Sequence, residues 1–143
     1  MIGENMKSAN RIFSLAACGL YLWLANTTVA QEWSRFRGPN GTGISTARGI
    51  PSGFSLSDAH WRLQLRGEGH SSPVLWGKRV FVTSYDAVNE LFIIQCLNAD
   101  NGSELWSHSL AQKPYRTHNF NHVASSTPVT DGKRLLVISS EPT

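Results

Sequence analysis

Short stretches in which apolar and polar residues alternate dominate the chain after residue 60. Trp61, Leu63 and Leu65 alternate with polar neighbours, so a half-buried β-strand is predicted over residues 61–65. Further runs rich in β-branched and aromatic residues, each bounded by turn-forming residues, predict additional short strands. These runs are residues 73–75, 79–84, 91–97, 104–108, 126–129 and 134–139. No amphipathic helix pattern follows residue 30, and the sequence therefore predicts an all-β fold.

Part of this pattern occurs twice. Residues 72–82 and 127–137 share a Pro-Val pair, a Gly-Lys-Arg turn and an apolar strand, at an offset of 55 residues (SPVLWGKRVFV and TPVTDGKRLLV). Trp61 and Trp106 are related by an offset of 45 residues, which places a ten-residue insertion within residues 111–124. A period near 45 residues is typical of a four-stranded β-propeller blade, a sheet that buries both faces only by packing against neighbouring blades.

The first thirty residues have the layout of a secretory signal. Lys7 and Arg11 precede an apolar stretch over residues 12–25, and small or polar residues follow up to Ala30. The apolar stretch is short for a membrane span, and the residues before Ala30 suit signal peptidase. We therefore expect residues 1–30 to be a signal peptide cleaved after Ala30, which would give a periplasmic or extracellular protein with no membrane span after cleavage.

Two other interpretations of this leader stay open. Residues 15–18 (LAAC) fit the bacterial lipoprotein pattern, in which Cys18 would be acylated and would anchor the protein to a membrane. The apolar residues that follow Cys18 stand where a polar tether would be expected. An uncleaved anchor is the third alternative.

The remainder of the chain divides into a lead-in and a repeat region. Residues 31–60 are dense in Gly, Pro, Asn and Ser and are predicted to form an ordered, turn-rich lead-in. Its RGPNGTG run lacks the Lys-Ser/Thr and the strand-to-helix setting of a phosphate-binding loop. Residues 61–143 are predicted to be an incomplete propeller, with a first blade at about 70–110 and a second that begins at about 124.

Composition and charge argue against a nucleic-acid partner. The net charge is +3, the chain has no run of Lys or Arg, and the Trp residues are not interleaved with a basic stripe. Cys96 is the only cysteine after the leader, so an intramolecular disulfide is not expected in the exported chain. Because Cys96 stands in an apolar run, we interpret it as a small buried hydrophobe.

The clearest family signature lies at residues 97–106 (LNADNGSELW). This segment resembles the tryptophan-docking motif of the PQQ-like β-propeller repeat family, within the quinoprotein alcohol-dehydrogenase-like superfamily. Ala99, Gly102 and Trp106 stand where the family has them, while Asn98 replaces the usual Asp and Asn101 the usual Thr. Residues 33–43, 69–74 and 124–132 look like the opening of secreted bacterial members.

The resemblance implies a ring of seven or eight four-stranded blades, of which this chain would hold about one and a half, as the N-terminal portion. Asn101-Gly102 suits a two-residue hairpin turn, and Trp106 offers an apolar plate to pack between adjacent sheets. Trp61 is expected to do the same for the preceding sheet.

Three histidines are the candidate binding residues. His118 and His122 have a spacing that could hold a metal on a helix, but residues 119–121 are not a helical pattern and no third ligand is evident. We interpret them as polar side chains of an inserted loop that line a pocket. His70 and His118 precede the innermost strands of successive predicted blades and are expected near the central channel. No catalytic residue and no metal ligand is predicted.

These observations lead us to expect an exported, non-catalytic propeller that binds a protein or a small ligand through its loops. One alternative is the first part of a PQQ-dependent dehydrogenase, which needs a quinone pocket, a calcium ion and a catalytic Asp. Asp86, Asp100 and Asp131 all stand in turns, where Asp is expected for local hydrogen bonding. No cofactor is therefore predicted from this portion. The other alternative, implied by the superfamily, is a propeller lipoprotein that assembles envelope proteins.

Overall fold

Six strands form two antiparallel sheets in the computed structural model, which describes residues 32–139. The predicted signal peptide, residues 1–30, which includes Cys18, lies outside these residues. A sheet in the order β1-β2-β3-β4 is followed by a two-stranded sheet, β5-β6. The strands are β1 (Val74–Trp76), β2 (Arg79–Asp86), β3 (Leu91–Asn98), β4 (Glu104–Ala111), β5 (Val129–Thr130) and β6 (Leu135–Leu136). Between residues 32 and 139 the only helical element is a 3-10 turn, Leu56–Asp58, and no helix there is long and apolar enough to cross a membrane.

The predicted all-β class is confirmed, and the larger sheet is a meander. β2 and β3 pair along their whole length, and β3 pairs with β4 with one irregularity at Cys96/Leu97. Residues directly opposite one another share a face of the sheet, so Tyr85 and Phe92 lie on one face while Val82 and Gln95 lie on the other. Most of β2 and β3 is buried without alternation, which indicates that both faces of these strands are covered.

The second half of the repeat region covers one face of the larger sheet. Val74, Phe81 and Cys96 form a buried cluster against which Leu135 packs. A second cluster contains Tyr85, Phe92 and Ala124, and three partly buried side chains pack against it: Ile94, Val123 and Val137. Burial of these apolar side chains, about 1.5–3 kcal/mol for each large one, is the main stabilising term that joins the two sheets.

The strand predicted over residues 61–65 is wrong: these residues belong to neither sheet. Trp61 and Leu65 are partly buried, as the alternation predicts, but Leu63 is 42% exposed. Alternation reports which side chains face the protein, whereas a strand also needs a hydrogen-bonded neighbour. The strands predicted over residues 126–129 and 134–139 are shorter than expected. Their counterparts β5 and β6 pair with each other over only two residues.

The lead-in contacts both sheets. Trp33 pairs with Leu75 of β1 through two backbone hydrogen bonds of 3.0 and 2.9 Å. The next carbonyl, that of Ser34, accepts a hydrogen bond of 3.0 Å from the backbone N–H of Thr130 in β5. The segment therefore lies between the first strands of the two sheets and connects them through the backbone.

Candidate functional site

The turn between β3 and β4 is the docking site of an indole ring. The hairpin closes around residues 99–102, with the N–H of Asn98 donating to the carbonyl of Ser103 at 2.8 Å and the N–H of Gly102 donating to that of Asn98 at 2.8 Å. The predicted two-residue Asn101-Gly102 turn is thus wrong. Gly102 is the only residue of this loop with a positive φ, of 72°. A two-residue type I′ turn requires a positive φ at both central residues, so this loop is of a longer type.

Trp61 occupies this turn. Its indole Nε1 donates a 2.8 Å hydrogen bond to the carbonyl of Ala99, and its ring lies so close to Gly102 that any Cβ at that position would overlap it. The structure therefore brings Ala99 and Gly102 together around Trp61. Trp106, the third residue of the motif, packs at 6.1 Å from the ring of Phe81 and is 42% exposed.

Two other tryptophans lie against left-handed glycines. The indole of Trp76, at the end of β1, covers Gly132 in the turn between β5 and β6. The ring of Trp33 covers Gly38 in the lead-in, where a Cβ would come within 2.7 Å of it. Sequence analysis did not predict either pair, although each joins a Trp to a turn glycine and is therefore recognisable in principle.

The segments that precede β1 and β5 hydrogen-bond to each other. The N–H groups of His70 and Ser71 donate to the carbonyl of Ala124 at 3.0 and 3.1 Å. The N–H of Ser72 donates to Oγ1 of Thr127 at 3.0 Å. Ser72 and Thr127 are 55 residues apart, which is the offset of the sequence repeat. Equivalent positions of the two repeats are therefore direct neighbours.

His122 is next to His70 in the structure. The two imidazole centroids are 5.5 Å apart, and the ring of Tyr85 meets His122 edge-on at 6.0 Å. The hydroxyl of Tyr85 donates to the carbonyl of Gln112 at 3.0 Å, and burial raises the pKa of this phenol. His70 therefore contacts His122, which lies in the segment where the sequence places the insertion, residues 111–124.

His118 and His122 line one concave surface, here called the loop pocket. Its volume is about 340 Å³. The lining residues are Tyr115, Arg116, Thr117, His118, Asn121, His122, Val123, Ser125 and Ser126. The lining includes one guanidinium, two imidazoles and an amide but no carboxylate, so it is rich in hydrogen-bond donors.

The turn carboxylates already have partners. Asp86 accepts from the N–H groups of Val88 and Asn89 and from the side chain of Asn89, and the last of these is the largest cause of its lowered pKa. Asp131 accepts from the N–H groups of Lys133 and Arg134, and Asp100 pairs with Lys78 at 2.7 Å. Throughout residues 32–139 no three His, Cys, Asp or Glu side chains converge as metal ligands.

Cys96 fits its predicted structural role. Its side chain is fully buried, and this burial raises the pKa of the thiol. A buried thiol with a raised pKa is a poor nucleophile.

Comparison of the chain with protein-family models, with curated proteins and with solved structures found no match.

Proposed function

We propose that this chain contributes about one and a half four-stranded blades to an exported, non-catalytic β-propeller of the PQQ-like repeat type, which binds its ligand through loops. The observation that carries the proposal is the contact between equivalent positions of successive repeats, the Ser72 to Thr127 hydrogen bond. Neighbouring blades of a propeller are related by rotation about one axis, so the same end of each repeat meets its counterpart.

The indole contacts support the same arrangement. Trp61 precedes the first sheet and inserts into that sheet's β3–β4 turn. Trp106 stands 45 residues later, at the equivalent position of the next repeat, and would insert into the corresponding turn of the following sheet. Such a repeated Trp-to-turn contact would give each blade a fixed register against its neighbour, as expected when every repeat packs only on adjacent repeats.

The binding role is supported by the position of the insertion. The segment that contains the ten-residue insertion, residues 111–124, forms most of the lining of the loop pocket and carries Arg116, His118 and His122. Insertions in repeat proteins map to loops on one face, often the binding face. The non-catalytic role is supported by Asp86 and Asp131, whose carboxylates accept hydrogen bonds from the backbone of their own turns.

The competing quinone-enzyme proposal has a direct test. The full-length protein is incubated with PQQ and calcium, desalted, and assayed for reduction of an artificial electron acceptor with a panel of primary alcohols. We expect neither retained quinone absorbance nor turnover. Stoichiometric retention of PQQ together with alcohol-dependent reduction would overturn the non-catalytic proposal in favour of a quinoprotein dehydrogenase.

Export is tested by the mass of the protein recovered from cells. We expect an N-terminus at Gln31, released by cleavage after Ala30. A diacylated or triacylated Cys18 at the N-terminus would instead favour the envelope-assembly lipoprotein, and a full-length chain retained in the cytoplasm would contradict export.

A further inference from the structure

The segment that forms the loop pocket carries basic residues, and the lining of the pocket offers several hydrogen-bond donors. From Gln112 to Val123 the chain carries Lys113, Arg116 and two histidines but no Asp or Glu. Arg116 offers a planar fork of N–H groups, and the hydroxyl of Thr117 and the amide of Asn121 lie on the same lining. A guanidinium with several neutral donors around it is the usual composition of a site for carboxylate or phosphate groups.

Both histidines use Nδ1 in the same way. Nδ1 of His118 accepts a long hydrogen bond of 3.4 Å from the N–H of Phe120, and Nδ1 of His122 accepts one of 3.4 Å from the N–H of Ala124. A backbone N–H can only donate, so the neutral imidazoles carry their proton on Nε2. Each ring therefore presents an Nε2–H donor and no free lone pair, which suits an acceptor-rich ligand and disfavours a metal ion.

His122 is held in place before any ligand arrives. Its N–H donates to Oγ of Ser125 at 2.7 Å, and the same hydroxyl donates back to the carbonyl of His122 at 2.7 Å. The ring is further confined between His70 and Tyr85. A donor whose position is fixed by packing loses little conformational entropy on binding.

Two acidic side chains line a concavity next to the loop pocket. An adjoining concavity of about 250 Å³ shares His122 with the loop pocket and is lined by Glu68, Asp86 and Arg66 among others. The Asp86 carboxylate is occupied by the donors of its own turn. Neither carboxylate belongs to the lining of the loop pocket, so an anion there does not meet a negative charge on the lining.

We infer that the loop pocket binds a small oxyanion, a carboxylate or phosphate group carried by the ligand, with Arg116 as the principal anchor and the Nε2–H groups of His118 and His122 as secondary donors. This inference rests on the proposed function, because it names the ligand chemistry of the loop that the proposal assigns to binding.

The test is calorimetric titration of the full-length protein with sodium phosphate and, separately, with sodium acetate, at constant ionic strength. We expect saturable binding at one site by at least one of the two anions. Preference for phosphate would identify a phosphate group, and equal or better binding of acetate would identify a carboxylate. Arg116→Gln should weaken binding about tenfold or more, because it removes a charge-assisted hydrogen bond, and His118→Gln should weaken it about fivefold.

Arg134→Gln is the matched control, since it removes the same charge from an exposed arginine outside the pocket. It should leave the affinity unchanged within about twofold. Absence of saturable binding by both anions, or equal weakening by Arg134→Gln and Arg116→Gln, would overturn the inference. A structure of the same full-length protein keeps the two proposals apart: anion binding without a propeller ring refutes only the proposed function, and a ring without anion binding refutes only the oxyanion site.

Discussion

Gly102 and Gly77 adopt the same backbone conformation in different surroundings. Their φ angles are 72° and 56°, both in the left-handed region that L-residues with a Cβ rarely adopt. A Cβ on Gly77 would meet nothing within 4 Å, whereas one on Gly102 would overlap the indole of Trp61. The two positions therefore separate the cost of the backbone conformation from the cost of displacing the ring.

Gly77→Ala should lower the free energy of unfolding by about 1 kcal/mol, the cost of placing a Cβ in the left-handed region. Gly102→Ala should lower the free energy of unfolding by about 1–3 kcal/mol more than Gly77→Ala does, because the added methyl group forces Trp61 out of the β3–β4 turn. Urea denaturation followed by tryptophan fluorescence measures both. Equal destabilisation by the two substitutions would show that the Trp61 contact does not contribute to stability.

At the same scale, the sequence singled out residues that the structure places in contacts, but it did not identify all of their partners. The docking motif singled out Ala99 and Gly102, and both do receive an indole ring. The i, i+4 spacing singled out His118 and His122, and both line the loop pocket. The contact of His122 with His70 was missed, because it depends on how two distant segments pack and no local spacing encodes it.

Within β2, two neighbouring hydroxyl groups point to opposite faces and differ in hydrogen bonding. Thr83 Oγ1 donates to Oγ of Ser71 at 2.8 Å. Ser84 is fully buried, and its Oγ has no hydrogen-bond partner among residues 32–139. A buried polar group without a partner is destabilising, whereas loss of one member of a bonded pair leaves the other unsatisfied.

Removal of these two hydroxyl groups should therefore change stability in opposite directions. Ser84→Ala should leave the free energy of unfolding unchanged or raise it by about 1 kcal/mol, and Thr83→Val should lower it by about 1–2 kcal/mol. Thermal and urea denaturation of the two variants provide the measurement, with each serving as the control for the other. A clear loss of stability in Ser84→Ala would mean that its hydroxyl group has a partner in the folded protein.

The contact between repeat-initial segments makes a further prediction. Thr127→Val removes the acceptor of the Ser72 N–H and keeps the volume of the side chain, so it should cost about 1 kcal/mol. Thr127→Ser retains the hydroxyl and should cost less, although it loses a methyl group. Hydrogen exchange of the Ser72 amide should accelerate in Thr127→Val alone. Unchanged exchange in that variant would contradict a direct link between the repeats.

Among the elements, the three eight-residue strands were the most predictable. β2, β3 and β4 begin where the sequence places them and extend one to three residues further, because pairing with the neighbouring strand continues past the predicted ends. The alternating run at residues 61–65 failed as a strand because its pattern encodes burial of Trp61 but no pairing partner. β5 and β6 were overpredicted for the same reason.

Considered as a whole, the protein should lose stability in acid. Asp58, Asp86, Glu104 and Asp131 all have a lowered pKa, chiefly because the charged carboxylates accept hydrogen bonds, from Gln95 in the case of Glu104. The unfolded chain takes up protons on these groups at a higher pH than the folded chain does, so folding becomes less favourable as pH falls. The stability that these four carboxylates contribute should be fully present between about pH 5 and pH 7 and should decline from about pH 5 towards pH 3.

Urea denaturation at several pH values between 3 and 7 measures this decline. Glu104→Gln should make it shallower, because one of the shifted groups is removed while an acceptor oxygen for Gln95 and Arg66 is retained. A free energy of unfolding that is flat, or that rises, between pH 5 and pH 3 would contradict the hydrogen bonds assigned to these carboxylates.

The central claim concerns how successive repeats are arranged, and a crystal structure of the protein as its gene encodes it tests that claim most directly. We predict a ring of four-stranded sheets in which the sheet containing β5 and β6 follows β1–β4 by a rotation of roughly 45–50° about a common axis, the value for seven or eight blades. The indole of Trp106 should lie against a left-handed turn glycine of that following sheet. A structure with no such rotational relation, and with Trp106 packed elsewhere or in solvent, would contradict the propeller.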